Sequence, residues 1–190
     1  MSALQGKVLL AAPEMADPNF SETLILVIEH GEAGALGLVL NQPMSTRLEE
    51  AIDLPIGAGG AAVRLIDVPL HHGGPCPGPL MVLHTDAASA QTEVLPGLYF
   101  STDEELVQPL ITDTLDRTSL RCFAGYAGWG PGQLETELLG GSWVVAEAAA
   151  GDIHAVDGEG AWLRMYRRTE RARLLSRIPA RLLPRDPAMN

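Results

Sequence analysis

Apolar runs of strand length alternate with short polar breaks along this chain, and their period separates strands from helices. Residues 7–12 (KVLLAA) and 23–29 (TLILVIE) are rich in aliphatic side chains and predict strands. A third run, 35–41 (ALGLVLN), follows His30-Gly31-Glu32-Ala33-Gly34, a compact loop that suits a hairpin, and Asn41-Gln42-Pro43 ends it. Ser45 or Thr46 then caps a short helix through Asp53, with Thr46 and Glu49 in capping-box spacing. Residues 57–62 (GAGGAA) form a small loop, and a strand near 68–72 leads into Gly73-Gly74-Pro75. Strands are also predicted over 79–85 and from Leu95 to Phe100. Ser101 with Glu104 is a second capping box, opening a helix that Pro109 either kinks or divides. Residues 119–126 return as a strand, 131–139 as a helix and 142–148 as a strand. From Ala161 a helix runs to about Arg177, with Trp162, Met165, Tyr166 and Thr169 at helical spacing, and Pro179 and Pro184 make the end extended.

The densest signal lies from Gly125 to Glu137, GYAGWGPGQLETE. Glycines at 125, 128, 130 and 132 mark backbone that needs positive φ or close approach of another group. Pro131 reads as the first turn of a helix whose amides face outward, able to hold an anion or a backbone carboxylate. Alternatively, the glycines let Tyr126 and Trp129 pack across a strand–helix corner while Gln133 and Glu135 satisfy loop amides.

Composition places the chain among ordinary globular proteins: 190 residues, 46% hydrophobic and 19% charged. That suits one domain, 1–190, with 162–190 as a C-terminal basic helix and extended tail. No apolar run approaches the length of a membrane span, and the short run after Lys7 reads as a first strand rather than a secretory leader. The expectation is a cytoplasmic protein with no membrane partner. Cys76 and Cys122 lie in different segments and form no metal-ligand pair. Charge is uneven. From residue 164 onward eight arginines face only Glu170 and Asp186, which gives +6 and leaves −17 on the preceding body of this −11 chain. The tail therefore docks on its own acidic body or meets an anionic partner, the first reading being favoured by charge complementarity.

Catalytic signatures are missing. Glu29-His30 has the residue types of a general acid/base pair, but successive strand residues point to opposite faces, so a role in tying down the hairpin is preferred. His71-His72, His84 and His154 share no spacing with each other that suggests zinc, and no metal or cofactor is expected. No serine sits in a glycine frame, no P-loop lysine exists, and Gly128-Trp129-Gly130-Pro131-Gly132 does not give a dinucleotide fingerprint.

The motifs together resemble the AlgH/YqgE-like family, a bacterial group of unassigned activity. The resemblance rests on Gly6-Lys7, Pro13, Asp17 and Phe20, and on Glu29-His30 with Gly34, Gly37-Leu38-Val39, Asn41 and Pro43. Gly73-Gly74-Pro75, Gly125 to Glu137 and the closing Leu174 to Asn190 extend it over almost the whole chain. Two departures stand out: Gln42 replaces a basic residue usual before the proline, and Cys76 a common valine. Losing a cation at 42 weakens any proposal that this position grips an anion.

The interspersed hairpins and helices predict an α+β fold with a mixed, largely antiparallel sheet surrounded by helices. The resemblance implies that the sheet is bifurcated and carries a small closed barrel portion. The preferred function is a cytoplasmic non-catalytic binding or regulatory protein with a small-molecule or protein partner. The family resemblance links some relatives to transcriptional control, although the acidic body argues against direct DNA binding. The alternative is a hydrolase or transferase acting at a cleft near Tyr126–Glu135 and Glu29-His30. Candidate binding residues are Glu29, His30, Asn41, Gly73, Gly74, Tyr126, Gly128, Trp129, Gly130, Gln133 and Glu135. Segments this rich in glycine and polar groups are expected to converge on one edge.

Overall fold

The apolar runs become strands of one branched sheet in the computed structural model, which describes residues 4–51, 68–112, 120–156, 158 and 160–177. The first hairpin and its flanks give β1 (Val8–Ala11), β2 (Leu24–Gly31), β3 (Gly34–Val39), β4 (Pro43–Arg47) and the one-turn helix α1 (Leu48–Ala51). The middle of the chain gives β5 (Pro69–His72), β6 (Cys76–His84), β7 (Thr92–Leu95), β8 (Leu98–Ser101) and α2 (Glu104–Thr112). Then follow β9 (Arg121–Trp129), α3 (Gln133–Leu139), β10 (Trp143–Ala146), α4 (Ala150–His154) and α5 (Ala161–Ser176).

The strand order is β10-β1-β2-β3-β9-β6-β8-β7, with β5 also on β9 and β4 on β5. Among the described residues every pairing is antiparallel except β5 with β9. The fold is therefore α+β, and the sheet forks at β9. Its Cys122–Ala124 stretch pairs with β5, whereas Ala127–Trp129 pairs with β3. The expected closed barrel is not formed among the described residues, because the path has two ends, β10 and β7, that do not pair. The β7 strand reaches the start of the chain through a hydrogen bond from Gln5 Nε2 to the Glu93 carbonyl, at 3.3 Å, rather than through a ladder.

Alternation along the strands divides the core into three clusters. Leu24, Leu26 and Ile28 face one side with Met81, Leu83, Phe100 and Phe123, under Ile153 of α4 and Trp162 and Met165 of α5. Ile25 and Val27 face the other side with Ala127, Trp129 and Trp143, under Leu134 of α3. Past the fork, Leu70, Val82 and Cys122 pack under Val107, Leu110 and Ile111 of α2. Trp162 anchors α5 by donating from Nε1 to the Ala11 carbonyl at 2.9 Å, and it stacks on Tyr166 with ring centroids 5.3 Å apart.

Tertiary contacts override local signals in several places. Residues 43–47, where Ser45 or Thr46 was expected to cap a helix, instead form β4, because β5 offers a pairing edge. Within the described residues the helix is Leu48–Ala51, Asp53 lying outside them, and the Glu50 carboxylate accepts from the Arg47 amide at 3.2 Å, one residue beyond the expected box. Ser101 does not cap α2: it closes β8, and the Asp103 carboxylate accepts from the Glu105 amide at 2.9 Å instead. The helix runs through Pro109 undivided. The predicted strand at 95–100 is a hairpin that turns at Pro96-Gly97, where Gly97 has φ +76°. Helix α4 has no counterpart among the expected elements, and residues 57–62, Pro179 and Pro184 lie outside the described residues.

Candidate functional site

Three of the sequence-predicted glycines build the fork in the sheet. Gly73 donates to the Ala124 carbonyl at 2.8 Å and accepts from the Val39 amide at 2.8 Å, so it sits between β3, β5 and β9. Gly74, at φ +148°, and Gly125, at φ +75°, press backbone against backbone. A methyl group on Gly125 would lie 2.5 Å from the Gly74 oxygen, and one on Gly74 would lie 2.3 Å from the Tyr126 carbonyl carbon. Only glycine fits such an approach at positive φ.

The rest of the glycine-rich motif extends β9 and then turns into α3. Tyr126, Gly128 and Trp129 belong to the strand, not to a strand–helix junction. Pro131 precedes the helix, which begins at Gln133 with Gly132 at φ +73° as its cap. Two amides at this corner are engaged internally: Gln133 N donates to the Gly130 carbonyl at 3.1 Å, and Gly130 N to Gln133 Oε1 at 3.0 Å. Gly130 itself has neither positive φ nor a close neighbour.

A carboxylate that the sequence placed only loosely organises this corner. Glu137 Oε2 accepts from Trp129 Nε1 at 2.9 Å and from Trp143 Nε1 at 2.8 Å, while its Oε1 accepts from Gln133 Nε2 at 2.9 Å. The two indoles meet edge to face at 6.1 Å, and Phe20 stacks on Trp129 and meets Trp143 edge-on at 5.6 Å. Such geometry satisfies each buried N–H while keeping aromatic quadrupoles in favourable contact. Glu135 does not reach loop amides; its Oε1 lies 2.9 Å from His30 Nε2. His30 thus ties the hairpin end to α3, and Glu29 points to the opposite face, as strand alternation requires.

That opposite face holds an open groove of about 460 Å³, lined by Glu29, Ala33, Gly34, Ala35, Leu36, Cys76, Tyr126, Gly128 and Trp129. Its floor is a cross-strand row, Glu29 opposite Leu36 and Leu36 opposite Gly128. The missing side chain at Gly128 makes the depression, which the Tyr126 ring and Cys76 Sγ flank at 3.0 and 3.6 Å from where a methyl group would sit. Glu29 is exposed at the rim, and Glu32 is exposed in the adjoining turn between β2 and β3.

Convergence is partial. Asn41 lies at the other end of the hairpin, where Oδ1 accepts from Leu24 N at 2.9 Å and Nδ2 donates to the Glu22 carbonyl at 2.8 Å. Roughly six residues of strand, about 20 Å, separate that end from His30. Asn41 lines a different hollow, of about 720 Å³, beside Gln42 and the start of α5.

Elsewhere, buried polar groups serve the fold. Ser101 Oγ donates to the Ser89 carbonyl at 2.6 Å, so His84 Nε2, 3.0 Å away, must donate to it. With Asp86 nearby this resembles a nucleophile and its base, but the proton order is reversed and both side chains are buried. Burial holds the His84 imidazole below the ordinary histidine range, against the pull of Asp86. Arg121, also buried, donates to the carbonyls of Leu40 and Ile153 at 2.6 Å and of Val156 at 3.1 Å. It clamps α4 to the sheet. Burial, and then the Arg121 cation, push His154 below its usual value. Among the described residues no group of three or more His, Cys, Asp or Glu is placed to hold a metal ion.

A family model described as AlgH-like (DUF179) matches residues 8–172. A UPF0301 protein of Chlorobaculum tepidum is 40% identical over 166 residues, which is 85% of this chain and 84% of that one. The solution structure of the AlgH protein from Pseudomonas aeruginosa superposes with a TM-score of 0.68 at 28% identity, covering 93% of this chain and 95% of the other. The crystal structure of protein DIP2367 from Corynebacterium diphtheriae gives 0.64 at 30% identity and 88% coverage of both.

Proposed function

This chain belongs to the AlgH-like family, and within it we propose a non-catalytic cytoplasmic binding or regulatory protein whose binding surface is the Glu29–Leu36–Gly128 groove. One observation carries the reading. The polar side chains of the glycine-rich motif are engaged with groups of the protein itself, Glu137 with two indoles, Gln133 with Gly130 and Glu135 with His30. What they hold in shape is a groove with an apolar floor and the Glu29 carboxylate at its rim. Its volume falls in the range of ligand sites, roughly 300–1,000 Å³. The chemistry it accepts is an apolar side chain next to a cation, as in a leucine- and arginine-containing protein segment. Any link to transcription runs through such a protein partner, since a body this acidic repels a phosphate backbone.

Binding at the groove is read by isothermal titration calorimetry rather than by tryptophan emission, because the Trp129 indole packs on the other face of the sheet with Trp143 and Glu137. Titration with a short leucine/arginine peptide should give a saturable change that Glu29→Lys abolishes. No change, or binding indifferent to Glu29→Lys, overturns the reading. A panel of esterase, phosphatase, peptidase and nuclease substrates should show no turnover. Turnover abolished by His30→Ala or Glu135→Gln in a folded protein would establish the hydrolase or transferase alternative.

A further inference from the structure

We propose that the groove's occupant is a second copy of this chain, which inserts the exposed face of its own α5; the inference rests on the groove reading above.

The outward face of α5 is unusual for a solvated helix. At about 100° per residue, Leu163, Arg167, Arg171 and Leu174 fall on one stripe, opposite the buried Trp162 and Met165. Leu163, Leu174 and Leu175 are 39%, 60% and 42% exposed. From Arg171 to Arg177 every residue is exposed, so the end of the helix stands off the body and is open to a partner.

Its charges are only partly used. Arg168 pairs with Asp152 of α4 at 3.0 Å, and Arg173 pairs within the helix with Glu170 at 3.2 Å. Among the described residues, the guanidinium groups of Arg167, Arg171 and Arg177 have no ion-pair or hydrogen-bond partner. The expected docking of the tail on its own acidic body is therefore met by Arg168 but not by these three.

The chemistry of the stripe selects the partner class. A phosphate backbone would use the arginines and leave the leucines in water. An anionic bilayer would use both, but would repel a body of −17. A protein surface with an apolar floor and acidic rim uses both, and the groove of another copy is one: Leu36 and Tyr126 beneath, exposed Glu29 at the edge and exposed Glu32 in the adjoining turn. Neither carboxylate has an ion-pair partner among the described residues of its own chain. Reciprocal insertion of the two helices closes a two-fold pair.

Sedimentation equilibrium of the full chain at low and high salt, at tens to hundreds of micromolar, tests this. A dimer at low salt that weakens at least tenfold at half-molar salt is expected. Arg171→Glu and Glu29→Arg should each give a monomer, and mixing the two should restore a heterodimer. In that heterodimer one helix–groove contact carries the exchanged charges and the other carries the native pair, so both are again attractive. The two positions are exposed, and the variants should keep the wild-type melting curve. A monomer under all conditions, or a dimer that either reversal leaves intact, overturns the proposal. If the wild type stays monomeric but still binds the leucine/arginine peptide through Glu29, the groove reading stands and only the second copy is lost. Association with anionic vesicles or RNA instead of itself also overturns it.

Discussion

Gly125 and Gly74 meet backbone to backbone at the fork of the sheet, 51 residues apart in sequence and both at positive φ. Neither has room for a β-carbon: the nearest atoms, at 2.5 and 2.3 Å, are main-chain atoms that cannot rotate away. Gly125→Ala should therefore cost about 2–4 kcal/mol, combining left-handed strain with overpacking. Gly130→Ala, where the nearest atom is Gln133 Oε1 at 3.9 Å, should stay within about 0.5 kcal/mol. Urea denaturation of both variants makes the comparison, and equal costs would show that the fork is not the reason for the glycines.

Glu137 holds two indoles with one oxygen. Removing it leaves both N–H groups without their acceptor, so Glu137→Ala should destabilise by about 2–4 kcal/mol and shift tryptophan emission. Glu137→Gln keeps an oxygen in place and should be much milder. Equal losses for the two would mean that packing, not the shared acceptor, stabilises the corner.

The two thiols should differ sharply. Cys122 is fully buried, and burial pushes its thiol up to about 12. Cys76 is half-buried beside the groove. A thiol reagent should titrate one cysteine in the native protein and two in denaturant. Two fast thiols in the native state would contradict the packing around Val82 and Cys122.

Acid should weaken the fold earlier than its carboxylates alone would. His84 and His154 are both held below 6.5 by burial, so the unfolded chain binds more protons than the native one once the pH falls under that value. Their contribution is complete above pH 6.5 and declines as the pH drops toward the folded values. Asp86, held down by Ser89 and the Ala88 amide, and Asp152, held down by Arg168, lose theirs only below 3.8. Urea midpoints should therefore fall between about pH 7.5 and 5, and His154→Gln should flatten part of that slope. A midpoint that holds steady or rises toward the acid end would rule this out.

Strands and helices with a local pattern were legible in the sequence. The runs at Val8, Leu24 and Ala35 and the α5 stripe of Trp162 and Met165 stand out because alternation and 3.6-residue spacing need no partner to be recognised. The same holds for the glycine at 125, and for the opposition of Glu29 to His30, which follows from strand geometry. The remainder emerged only on folding, because pairing edges and buried acceptors come from residues far apart in the chain. The β5 edge drew residues 43–47 into a strand across the expected helix cap at Ser45 or Thr46, and Asp103 displaced Ser101 as a cap once Ser101 was drawn into contact with His84. Gly128 became the floor of a groove through its register with Leu36, and Asn41 left the site because a hairpin puts its two ends about 20 Å apart.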